Sequence, residues 1–134
     1  MGIRGIFTFL HGGTVNIYGG AVKATGGSLG GAGIGGGYNC HGGTITIHGG
    51  DVNATGGAGA SGIGVCEKNY HGIINIDGGT VSATGGNVTA GAGILGGVRD
   101  GDNRSALTVN GSPFITATAG DGPNGGAGIL ISLR

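Results

Sequence analysis

Tryptophan is absent from the 134 residues, proline occurs twice, cysteine twice, and charged side chains make up only 9% of the chain. Each shortage excludes something. Six basic and six acidic residues leave a formal net charge of zero, so no electrostatic footprint for nucleic acid or an anionic membrane surface exists. No apolar run approaches the 18 or so residues of a membrane-spanning helix. Two prolines and no Gly-X-Y period exclude collagen, although glycine is abundant. Two cysteines are too few for a disulfide-scaffolded domain.

What the chain has is glycine, 39 residues of it, about four times the usual usage of roughly 7%. It is not a flexible linker, because Val, Ile and Leu recur at fixed places and mean hydropathy is +0.23. The chain is a repeat. HGGTVNIYGGAVKATGG opens residues 11–40, HGGTITIHGGDVNATGG opens 41–70, and HGIINIDGGTVSATGG opens 71–103. A looser fourth copy fills 104–134. Apolar residues line up in columns: Val15, Ile45, Ile74 and Leu107; Ile17, Ile47, Ile76 and Val109; Val22, Val52, Val81 and Ile115; Ile34, Ile63, Ile94 and Ile129. Ala24, Ala54, Ala83 and Ala117 make a fifth column. Length changes fall only between these columns, where loops tolerate them.

Within each copy the period is two. Thr14-Val15-Asn16-Ile17-Tyr18 and Val22-Lys23-Ala24-Thr25 alternate apolar with polar, which is the pattern of half-buried strands bounded here by Gly-Gly turns. A third short strand is expected around the Ala-Gly-Ile triplet, as at Ala32-Gly33-Ile34. Three strands and three glycine corners make one coil. A lone coil buries too few side chains to offset the entropy of ordering it, so coils must stack and cover one another. The expected fold is all-β: a single-domain, right-handed parallel β-helix, or β-solenoid, of four coils, the hand following from the crossover preference. Residues 1–10 read as a partial first coil or cap with Phe7 and Phe9 over the open end; they make a poor signal peptide, with too short an apolar stretch and no small-residue cleavage site. The other end stops on the apolar run Ile129-Leu130-Ile131. An uncapped solenoid end invites pairing, so a piece of a longer chain, or end-to-end self-association, is expected.

The repeats GGTVNIYGGAVKATGG, GGTITIHGGDVNATGG and IINIDGGTVSATGG, each followed by a GAGI-like element, resemble a repeat of secreted and surface proteins of gut and cellulolytic Firmicutes. They also resemble a family of carbohydrate-binding β-helix proteins related in fold to pectate lyases. The likeness runs from His11 to Ile131 and implies an extracellular or cell-surface location, polysaccharide contact and, in some members, calcium. The matched positions are core and corner residues, so no functional residue carries over from it.

The candidate sites come from the polar positions. The outward residues of the first strand give Asn16, Thr46, Asn75 and Thr108, then Tyr18, His48, Asp77 and Asn110. We take Asn16, Tyr18, Thr46, His48, Asn75 and Asp77 as candidate carbohydrate contacts; the plainer reading is a solvated face rich in β-formers. Asp100, Asp102 and Asn103 place oxygen ligands in a glycine turn, as calcium requires, and are also good turn chemistry. Calcium is the cofactor that these residues imply. His11, His41 and His71 recur every 30 residues beside Cys40, Cys66 and Glu67. They suggest a soft metal, although duplication of the coil alone produces that spacing. A Cys40–Cys66 disulfide would stabilise by about 3–4 kcal/mol; Cys66 aligns with Gly37 rather than Cys40, which favours two thiols.

The unbroken column Thr25, Thr55, Thr84 and Thr118 admits an ice-binding face, which the mixed neighbours Lys23, Asn53, Ser82 and Thr116 spoil. A lyase would need clustered carboxylates with a basic residue facing them. The acids Asp51, Glu67, Asp77, Asp100, Asp102 and Asp121 are scattered without a Lys or Arg column. The expectation is therefore a non-enzymatic module, carbohydrate-binding or adhesin-like, with a purely structural spacer or stalk as the alternative.

Overall fold

The computed structural model describes residues 2–5, 7–11, 13–27, 31–41, 43–58, 60–64, 72–87, 93–95, 106–121 and 128–130. These form fourteen strands: β1 (Gly2–Gly5), β2 (Phe7–His11), β3 (Thr14–Ile17), β4 (Ala21–Thr25), β5 (Ile34–His41), β6 (Gly43–Ile47), β7 (Asp51–Thr55), β8 (Ile63–Gly64), β9 (Gly72–Ile76), β10 (Thr80–Thr84), β11 (Ile94–Leu95), β12 (Ala106–Val109), β13 (Phe114–Thr118) and β14 (Ile129–Leu130). Every third strand joins the same sheet. One sheet runs β1-β4-β7-β10-β13, a second β2-β5-β8-β11-β14, a third β3-β6-β9-β12, and all pairings are parallel. This is a parallel β-helix with three faces, and the first eleven residues supply strands to two of them.

The register reproduces the columns. Val22, Val52, Val81 and Ile115 are successive ladder partners, as are Ile17, Ile47, Ile76 and Val109. A two-residue side-chain period sends one set inward and the other outward. Ile34, Ile45, Ile47, Ile63, Ile74, Ile76, Val52 and Val81 are completely buried and, with the Ala24–Ala54–Ala83 column, form the core. Burial falls off at the last coil: Ile76 is 0% exposed and its partner Val109 49%.

Two glycine positions explain why this composition is needed. Gly20, Gly50 and Gly79 turn the chain from the first to the second strand with φ between 80° and 95°, a region other residues rarely adopt. Gly33, Gly62 and Gly93 stand where one wall passes close to another. A Cβ on Gly62 would lie 2.6 Å from the Thr84 nitrogen and 2.8 Å from the Ala54 oxygen.

The third strand departs from expectation. It starts at the isoleucine of the triplet rather than spanning it, and in the first coil it continues to His41. Cys40 and His41 are therefore strand residues, and His11 is the last residue of β2. Phe7, Thr8 and Phe9 pair with Ile34, Gly35 and Gly36. A backbone ladder needs no side chains, so glycine continues it without leaving a periodic trace.

Candidate functional site

The first strand of each coil ends on an inward isoleucine or valine, and the next residue closes one more ladder bond before the chain turns. His48 N–H donates to the Ile17 carbonyl at 2.7 Å, Asp77 N–H to Ile47 at 2.8 Å and Asn110 N–H to Ile76 at 2.9 Å. Tyr18, His48, Asp77 and Asn110 are thus held one above another at a corner, with the spacing of a β ladder, about 4.8 Å. Glycine follows each of them. A Cβ on Gly78 would lie 2.7 Å from the His48 carbonyl oxygen, and one on Gly111 2.8 Å from that of Asp77. The tight glycine corner pushes the preceding side chain out into solvent.

The four side chains touch in sequence. The Tyr18 and His48 rings stack with centroids 4.6 Å apart and planes 4° from parallel, a face-to-face arrangement that the ladder imposes. His48 Nδ1 faces Asp77 Oδ2 at 3.5 Å. Asn110 Nδ2 donates to Asp77 Oδ1 at 3.0 Å. Tyr18 is 74% exposed. In the described residues the third sheet ends at β3, so the ring face turned away from His48 belongs to the sheet's edge. Two residues earlier on each strand, Asn16, Thr46, Asn75 and Thr108 are ladder partners, and Asn75 Nδ2 donates to Thr46 Oγ1 at 3.4 Å. A flat aromatic surface, a carboxylate acceptor and an amide donor stand side by side, which suits a ligand with one apolar face and hydroxyls at its rim.

All six candidate carbohydrate contacts fall in these two adjacent columns, and Asn110 joins them as a seventh. A second polar contact lies at another corner, where Asp121 N–H donates to Asn87 Oδ1 at 2.8 Å. The sequence signal for it is a short polar residue directly after Gly85-Gly86 and after Ala119-Gly120. Asp100, Asp102, Asn103, Cys66, Glu67 and His71 lie outside the described residues. His11 and His41 are ladder partners through their backbones. Among the described residues no three His, Cys, Asp or Glu side chains gather as metal ligands. Lys23, Asn53 and Thr55 sit on a different face, outward on β4 and β7.

A family model described as a β-helix repeat matches residues 15–38, 45–64 and 74–97, together just over half the chain. The chain belongs to the β-helix repeat family. The three matched segments each run from the first strand of a coil to the third, so the family's unit and the structural coil coincide. No curated protein and no solved structure matches the chain. Membership in the β-helix repeat family fixes the architecture and leaves activity to the site, because one fold hosts many functions.

Proposed function

We propose that the chain is a non-catalytic, extracellular glycan-binding module that holds polysaccharide along the Tyr18–His48–Asp77–Asn110 column. The supporting observation is the parallel Tyr18–His48 ring stack, with His48 next to the Asp77–Asn110 pair. The apolar face of one pyranose packs on the exposed Tyr18 ring, while hydroxyls of another unit of the same polymer donate to the Asp77 carboxylate and accept from the Asn110 amide. Asn16, Thr46 and Asn75 extend the polar surface along the adjacent column. A stack of rigid coils offers this surface preorganised, which lowers the ordering cost of binding.

Pull-down on insoluble cellulose, pectin and mucin, with and without EDTA, tests the reading. Retention by at least one polymer is expected, and Tyr18→Ala weakens it about tenfold by removing the aromatic anchor. Loss of retention in EDTA supports a calcium contribution, with Asp100, Asp102 and Asn103 as the candidate ligands. No retention on any polymer leaves the module as a stalk or spacer and overturns the proposal.

A further inference from the structure

Taking this column as the glycan site, we infer that it selects uncharged hexopyranose chains and rejects polyuronates, with Asp77 setting the preference. Among the described strands of the third sheet no charged side chain occurs: β3 reads TVNI, β6 GTITI, β9 GIINI and β12 ALTV. The column at their ends adds one carboxylate, Asp77. Asp51 opens β7 three residues after His48, on the second-strand side of the same turn. Lys23 stands two residues into β4, on the outward side of another face. The described surroundings of the column are therefore acidic, without a lysine or arginine.

A uronate lying along the column brings an acceptor-only carboxylate to a surface whose strongest group is also acceptor-only. The donors nearest it are oriented by Asp77: one N–H of Asn110 goes to Asp77 Oδ1 and His48 Nδ1 faces Asp77 Oδ2, so a uronate that reaches the second N–H of Asn110 lies against a like charge. A neutral sugar meets no such conflict. Its hydroxyls donate to the free lone pairs of Asp77 and accept from the second N–H of Asn110, both charge-assisted or cooperative with the existing bond. Like-charge juxtaposition is the element that discriminates. Because the site is exposed, the discrimination is screened by salt.

The test is affinity electrophoresis through gels containing hydroxyethylcellulose, mannan or polygalacturonate, all in EDTA so that calcium cannot bridge two carboxylates. Wild type is expected to be retarded by a neutral polymer and at least about fivefold less by polygalacturonate at low salt, the gap narrowing in high salt. In Asp77→Asn the ratio of uronate to neutral retardation rises about fivefold, whatever the absolute affinity. Asn110→Asp, which adds a second carboxylate, lowers that ratio. Equal retardation of wild type by both polymer classes overturns the inference, as does a ratio that neither substitution moves. Retardation by none of the polymers, either in EDTA or with calcium restored, overturns instead the glycan reading on which the inference rests.

Discussion

Glycine is the residue that decides this molecule, and its positions are not equivalent. Gly62 faces backbone atoms of Thr84 and Ala54 on central strands, which cannot move without breaking two ladders. Gly27 has nothing within 4 Å of where a Cβ would stand. Gly62→Ala is therefore expected to cost about 3 kcal/mol or more, through overpacking against immovable backbone. Gly27→Ala is expected to stay within about 0.5 kcal/mol of wild type. Urea unfolding followed by circular dichroism separates the two, and comparable losses would show that glycine here serves chain flexibility instead of close approach. The sequence makes the Gly-Gly pairs legible as corners. It does not say which glycine of a pair takes positive φ, or that Gly33, Gly62 and Gly93 stand inside a wall crossing. Those properties belong to contacts between residues 8 to 35 positions apart, across strands and coils.

At the scale of the strand, the first two strands of each coil are readable because their side chains alternate, and every inward and outward position follows from that period. The third is not, since Ile34-Gly35-Gly36 continues the ladder through glycine backbone and has no side-chain period to read. The candidate site divides in the same way. Its columns are legible, because outward residues at equal offsets must stack. The Tyr18–His48 stack and the Asn110–Asp77 bond are not, because rotamers are chosen only once neighbours are in place. The ladder itself makes a prediction at β7, which has partners on both sides in β4 and β10. Asn53 points outward, so Asn53→Thr is expected to be neutral or slightly stabilising in a strand. Asn53→Pro removes a ladder donor from a central strand and is expected to cost about 3 kcal/mol or more. Thermal melts of both variants check this, and a tolerated proline would mean that β7 is not held on both edges.

For the whole molecule, the coil is the unit, and its independence is testable by removing one. Gly43 pairs with Gly72 and Thr44 with Ile73, so deleting residues 44–72 joins Gly43 to Ile73 and restores the chain to the same point of the next coil. Val15 then stacks on Ile74, Ile17 on Ile76 and Val22 on Val81, all inward, so the core stays continuous. Stability in a solenoid is a sum of coil and interface terms, so the shortened chain is expected to fold with the same strand spectrum and to melt cooperatively at a lower temperature. A deletion of one residue fewer would leave Thr44 ahead of Ile73 and put that strand out of step, sending its inward side chains outward; it is expected to lose the strand signal. The same excision removes His48 and brings Tyr18 beside Asp77, so a folded shortened chain that binds glycan more weakly would separate the architecture from the site built on its corner. Were the shortened chain unfolded, the coils would not be interchangeable, and stability would reside in contacts particular to one pair of them.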